Sequence, residues 1–355
     1  MRGASKSQLV SVQLLRALAA LGVVLSHIHL DFLTRLNLPG ALPNWNPGMA
    51  GVDVFFVISG FVMVHASGRL FGEPGATQTF LARRFARIVP LYWAVTTLYV
   101  VLSLTVPNAQ SQYEPSLILA SYLFWPHWRD DGFFPVVGLG WTLNYEMLFY
   151  LLFGLALVAR RGLAVAAVGA ALLLLVVLGQ GFGWPGPLAF WSQSIVLEFV
   201  LGMLLALAYR AGWRLPVWLA LPLASVGAVL LWLAAAGQLG LSWPRAVSWG
   251  LPAAAVFAGA VLGDWPERRN LFSTAALALG DASYALYLTH AFVIRFFREL
   301  AQRGFLDPAQ QPFLYAALIV ATSCLAAIAV YRLFERPMTK LLQGRSAARQ
   351  VQPAF

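Results

Sequence analysis

Long apolar runs leave this chain one environment in which to fold. Stretches near 9–29, 49–67, 86–106, 139–159, 163–180, 190–209, 216–236, 246–263, 276–295 and 312–333 are almost free of charge. Each is close to the roughly 20 residues that cross a hydrocarbon core. Where no water reaches the backbone it must satisfy itself, so these runs are expected to be helices. Composition agrees: 60% of residues are hydrophobic and 11% charged, against about 25% charged in soluble domains. The same figures exclude disorder, and a single cysteine, Cys324, excludes a disulfide scaffold. Net charge is +10, but the basic residues fall in short groups between the apolar runs. That is loop charge beside a lipid bilayer, and no nucleic-acid partner is expected. The expected fold is an all-α polytopic membrane protein with about ten transmembrane helices. One transmembrane domain covers 1–340, and 341–355 form a short basic tail.

The segment Ser116–Trp128 is apolar but too short to cross, and is expected to be re-entrant or interfacial. Arg16 in mid-run and the length of the first run argue against a cleaved signal peptide. Positive charge then orients the chain. With the N-terminus inside, sixteen Lys and Arg fall on the cytoplasmic side, among them Arg2, Arg83, Arg84, Arg87, Arg268, Arg269 and Lys340. Six fall outside: Arg35, Arg129, Arg245, Arg295, Arg298 and Arg303. Both termini are expected in the cytoplasm, and no internal repeat suggests inverted halves.

Ionisable groups at bilayer depth cost roughly 2.5–3.5 kcal/mol each on insertion scales, so each invites a functional reading. Arg16 and His27 are eleven residues apart on the first run, which puts them on one helical face about 16 Å apart along the axis. Asp53, in GVDVFFVISGF, opens the second run near the outer level of His27. It would either orient that imidazole or cap its helix, with Gly51 and Gly60 allowing close packing. Glu146 follows Trp141 in GWTLNYEMLFY, Glu198 lies in SIVLEFVLG, and His290 ends DASYALYLTH. Five runs thus bring polar groups toward mid- or outer-membrane depth, and one water-accessible cavity is expected to gather them. At the cytoplasmic end of the third run, Arg83, Arg84 and Arg87 form a cationic fork suited to phosphates, or else anchor the loop to anionic lipid. Pro90 follows and is expected to kink the helix. No metal site is expected, since the histidines lack ligand spacing.

These residues resemble a family. LLRALAALGVVLSH, GVDVFFVISGF, RRFAR, GWTLNYEMLFY, LGDASYALYLTH and FERP occur in the order found in the acyltransferase-3 family of integral-membrane acyltransferases, across nearly the whole chain. The first-run and WTLNYE motifs look most similar to the exopolysaccharide O-acetylating branch. The resemblance implies transfer of an acyl group, usually acetyl, from cytoplasmic acyl-CoA to a hydroxyl of a cell-envelope glycan or lipid-linked sugar. It also implies a multi-pass protein of a bacterial inner membrane. The fused extracytoplasmic hydrolase-like domain of some relatives is absent, so the chain either completes transfer itself or hands over to a separate extracytoplasmic partner. The family's functional residues map onto His27, Arg16, Arg84 and Arg87. His27 would act as base, or carry the acyl group as an acyl-imidazole; Asp53 and Glu146 would assist. Arg16, Arg83, Arg84 and Arg87 would hold the donor, whose pantetheine arm would thread inward. Trp141, Glu198 and His290 would line the cavity. The rival reading is a transporter or flippase for a lipid-linked saccharide; a non-catalytic subunit would be expected to lose His27 or the fork.

Overall fold

The computed structural model describes residues 4–105, 113–129, 132–237, 243–265 and 271–350. Arg2, Arg268, Arg269 and the end of the tail, 351–355, lie outside the described residues. Among the described residues fourteen α-helices follow in chain order. The first seven are α1 (Ala4–Thr34), α2 (Gly51–Ala66), α3 (Ala76–Thr105), α4 (Pro115–Tyr122), α5 (Trp141–Ala156), α6 (Arg161–Phe182) and α7 (Gly186–Trp191). Then follow α8 (Leu197–Arg210), α9 (Val217–Ala235), α10 (Leu251–Leu262), α11 (Leu271–Asp281), α12 (Ser283–Gln302), α13 (Pro312–Val330) and α14 (Arg336–Gln350).

Each of the ten apolar runs contains helix among the described residues. Among the described residues six helices are long and apolar enough to cross a membrane, and a seventh crossing counts if α11 and α12, bent by 77°, form one broken span. The other three runs lose α-helical length to tighter or wider turns at their starts. A 3₁₀ turn at Gly138–Gly140 precedes the 16 residues of α5, another at Ser194–Val196 precedes the 14 of α8, and a π turn at Ala246–Gly250 precedes the 12 of α10. Helix α3 continues through Pro90. Helix α4 has eight residues, too few to cross, and leads to a two-residue antiparallel hairpin, Trp128–Arg129 with Gly132–Phe133. Trp93 Nε1 donates to the Tyr122 carbonyl at 2.9 Å, and Tyr92 stacks on Phe124 at 4.7 Å.

The chain forms two compact units, Met1–Phe61 with Leu201–Tyr331, and Val62–Val200 with Arg332–Phe355. In the first, α1 is the hub, packed against the 3₁₀ turn Asn46–Ala50 and against α10, α11, α12 and α13. Small residues permit this approach. A Cβ on Gly48 would lie 1.9 Å from the Gly22 carbonyl oxygen, and one on Gly51 would lie 2.3 Å from that of Ala19. The packing role expected of Gly51 is therefore seen. Helices α9 and α10 meet in the same way, a Cβ on Gly259 falling 2.5 Å from the Ala220 carbonyl oxygen.

In the second unit, α3 packs on α5 through Phe80, which sits 5.2 Å from Phe153 and 6.3 Å from Tyr150, centroid to centroid. Thr77 Oγ1 donates to the Gly154 carbonyl at 2.7 Å, tying the two helices where Gly154 leaves room. Helix α6 packs on α5, and α14 packs on α3.

Candidate functional site

His27 lies late in α1 and is half-buried. Its Nδ1 is 2.8 Å from the Val23 carbonyl oxygen, one turn back on the same helix. A carbonyl only accepts, so Nδ1 carries the proton and Nε2 keeps its lone pair. Among the described residues no protein group bonds that Nε2. His290, on α12, repeats the arrangement: its Nδ1 is 2.9 Å from the Leu286 carbonyl oxygen, and its Nε2 is buried with no partner. The two imidazoles meet at 5.1 Å between centroids, tilted by 61°. Sequence reading placed both at outer depth; the structure brings them into contact.

Asp53 has a different partner from the one expected. It is fully buried, and its two oxygens receive Arg245 Nε at 2.8 Å and a terminal Arg245 nitrogen at 2.9 Å. The Arg245 guanidinium lies 4.9 Å over the Trp249 ring. Among the described residues Asp53 makes no hydrogen bond to His27; the Val23 carbonyl holds the imidazole's tautomer instead. Arg245, counted in the sequence only as outer loop charge, is the cation that makes a buried carboxylate at this depth tolerable.

Two further polar links join α1 to its neighbours. Arg16 donates to Gln13 Oε1 at 3.3 Å, and Gln13 Nε2 donates to Asp281 Oδ1 at 2.7 Å. Asp281 stands at the bend between α11 and α12, where a Cβ on Gly280 would lie 2.3 Å from the Gln13 carbonyl oxygen. Asp31, one turn beyond His27, pairs with Arg298 of α12.

The second unit holds the other candidates. The three-arginine fork is uneven: Arg83 is exposed, whereas Arg84 and Arg87 are half-buried. The Arg84 guanidinium lies 5.6 Å from the Phe80 ring centroid, and its Nε is buried with no hydrogen-bond partner. Its electrostatic neighbours are Tyr150, Arg87, Glu146 and Arg83. Tyr150 donates its hydroxyl to Glu146 Oε2 at 3.0 Å. Glu146, grouped with His27 in the sequence reading, is thus a neighbour of Arg84. Trp141 begins α5 with its ring edge-on to Tyr145 at 5.9 Å, and Glu198 is fully buried in the first turn of α8. Helix α14 runs from the end of the FERP motif into the expected tail 341–355, and Thr339 Oγ1 donates at 3.2 Å to the carbonyl of Ala86, between Arg84 and Arg87 in sequence. Among the described residues no group of three or more His, Cys, Asp or Glu is placed to hold a metal.

A family model described as "Acyltransferase domain" matches residues 9–332. The chain belongs to the acyltransferase-3 family. It is an acyltransferase with several helices apolar enough to cross a membrane. It is 35% identical over 307 residues to the exopolysaccharide production protein ExoZ of Rhizobium meliloti (strain 1021), covering 84% of this chain and 91% of ExoZ. It is 30% identical over 377 residues to the acyltransferase MdmB of Streptomyces mycarofaciens, covering 95% of this chain and 93% of MdmB. No solved structure matches it.

Proposed function

We propose that this acyltransferase-3 protein is an O-acyltransferase that moves an acyl group, acetyl by preference, from acyl-CoA to a hydroxyl of a cell-envelope polysaccharide or lipid-linked sugar. One observation carries the reading: His27 has its Nδ1 proton committed to Val23 and presents an unbonded Nε2 lone pair. A sugar hydroxyl is a weak nucleophile at neutral pH, and an imidazole in this tautomer is equipped to take its proton. The hydroxyl oxygen attacks the thioester carbonyl while His27 Nε2 receives the hydroxyl proton. The tetrahedral intermediate then collapses, the C–S bond breaks, and the leaving thiolate takes the proton back from the imidazolium. The products are the sugar ester and free CoA thiol, and His27 is again neutral. A backbone carbonyl suffices to orient the base, so Asp53 supports the fold of its unit through Arg245.

Arg84 and Arg87 bind the phosphates of the donor. Arg84 Nε is a buried donor without an acceptor, and a bidentate anion such as a pyrophosphate supplies one. The Tyr150–Glu146 pair lies within electrostatic reach of that cation and holds it in place between turnovers. The exopolysaccharide role in the name of ExoZ supports a glycan as acceptor. In this reading the ten apolar runs cross the membrane with both termini on the cytoplasmic side of a bacterial inner membrane, an arrangement that the sixteen-to-six charge asymmetry supports. The test is mass spectrometry and NMR of envelope polysaccharides from cells with and without the gene. A mass of one acyl group per acylated sugar, lost with the gene, is the expected result; identical glycans in both strains would contradict it.

A further inference from the structure

Resting on His27 as the base, we propose that His290 reads the acceptor: its Nε2 receives a hydrogen bond from a second hydroxyl next to the one that reacts, so the acceptor is a vicinal diol. The two histidines are built alike. Each donates Nδ1–H to the carbonyl four residues before it, which turns Nε2 away from its own helix. Each Nε2 lacks a protein donor among the described residues, and that of His290 is fully buried. The ring centroids are 5.1 Å apart, edge to face, so a ligand that reaches His27 Nε2 also lies beside His290.

The chemistry of that ligand follows from what the pair lacks. Both nitrogens are acceptors in this tautomer, so the ligand must bring two hydrogen-bond donors close together. A phosphate, a carboxylate or a thioester brings none. An isolated primary hydroxyl brings one, enough for His27 and none for His290. Neighbouring ring hydroxyls of a sugar bring two, at the usual O–H···N reach of about 2.8 Å. A phenyl ring in place of His290 would leave no buried unmet acceptor, so an imidazole at this position calls for a partner. Tyr287, at 6.4 Å from the His290 ring centroid, flanks the pair and gives the sugar an aromatic edge.

Periodate gives a direct test, because it cleaves vicinal diols and spares isolated hydroxyls. Purified full-length protein is given radiolabelled acetyl-CoA and envelope polysaccharide from a strain lacking the gene, either untreated or oxidised with periodate and reduced. The proposal expects label on the untreated glycan, at a hydroxyl whose neighbour is free by NMR, and at least a tenfold loss after oxidation. It also expects His290→Phe to raise the KM for glycan at least tenfold with the KM for acetyl-CoA unchanged. His290→Gln, whose amide oxygen still accepts, should recover part of that loss at normal membrane yield. Equal labelling of oxidised glycan, or equal glycan KM in His290→Phe, overturns the diol reading and leaves the proposed function intact. Absence of label on untreated glycan overturns the proposed function, and this inference with it.

Discussion

His27 and His290 sit ring against ring at 5.1 Å, each with Nδ1 tied to the carbonyl one turn back on its own helix. The pairing is made by α1 and α12, which pack together in one unit. It brings into contact two histidines that the sequence placed only at a common outer depth, with Asp53 rather than His290 expected beside His27. The consequences of this arrangement and of its surroundings are open to measurement.

The Asp53–Arg245 pair is expected to act on stability rather than on transfer. Removing Arg245 strands a fully buried carboxylate, at a cost of about 3–5 kcal/mol, whereas removing Asp53 leaves an arginine that is 34% exposed and costs less. Asp53→Asn and Arg245→Ala should therefore each lower the yield of folded protein in the membrane and its thermal midpoint in detergent. The double variant Asp53→Asn with Arg245→Gln should recover much of both, because neither charge remains to be stranded. Single variants with normal midpoints and lost transfer would instead return Asp53 to the reaction.

Arg84 and Arg87 should decide donor affinity. Lysine keeps the charge but not the planar, two-pronged donor set, so Arg84→Lys and Arg87→Lys should each weaken acetyl-CoA binding at least tenfold in calorimetry. Arg83→Lys, at the exposed position, should change it little. Unchanged binding in the Arg84→Ala, Arg87→Ala double variant would leave the two arginines as anchors of the loop.

Gly48 and Gly22 set the approach of the Asn46–Ala50 turn to α1. Because a Cβ at Gly48 would fall 1.9 Å from a backbone oxygen, no side-chain rotation relieves Gly48→Ala. The variant should lose about 1–3 kcal/mol, the usual range for overpacking, read as a lower thermal midpoint. Gly40→Ala meets no atom within 4 Å, but Gly40 has a φ of 80°, so its strain comes from the backbone alone and should cost less.

Orientation is testable at Asn44, exposed in the connection between α1 and α2. In a Cys324→Ala background, Asn44→Cys should react with an impermeant maleimide in intact spheroplasts. Labelling only after permeabilisation would invert the orientation.

The helices were legible because hydrocarbon thickness imposes a length that apolar runs of about 20 residues meet almost alone. What was not legible was where such a run stops being α-helical. The 3₁₀ turns before α5 and α8, the π turn before α10 and the 77° bend after Asp281 carry no hydropathy signal. The candidate site divides similarly. Arg16, His27, Glu198 and His290 stood out because ionisable groups are costly at depth. Their partners did not: Val23 contributes a backbone carbonyl, which any residue has, and the pairings His27–His290 and Asp53–Arg245 join distant parts of the chain. A helical histidine can reach its i−4 carbonyl through Nδ1, as His27 and His290 do, but His29 on the same helix as His27 does not, so spacing alone would not have named Val23. An outer arginine ahead of an apolar run, as Arg245 is, was the one available hint for Asp53.

The central claim is that His27 removes the acceptor proton, and replacing it in purified protein tests this most directly. His27→Gln keeps a hydrogen-bonding side chain of similar reach but cannot take a proton, and His27→Ala removes the group. Transfer of label from radiolabelled acetyl-CoA to envelope polysaccharide should fall about 10²–10⁴-fold in both, with membrane yield and acetyl-CoA binding at wild-type levels. A near wild-type rate in either variant would contradict the account and move the search for the base to Glu146 and His290.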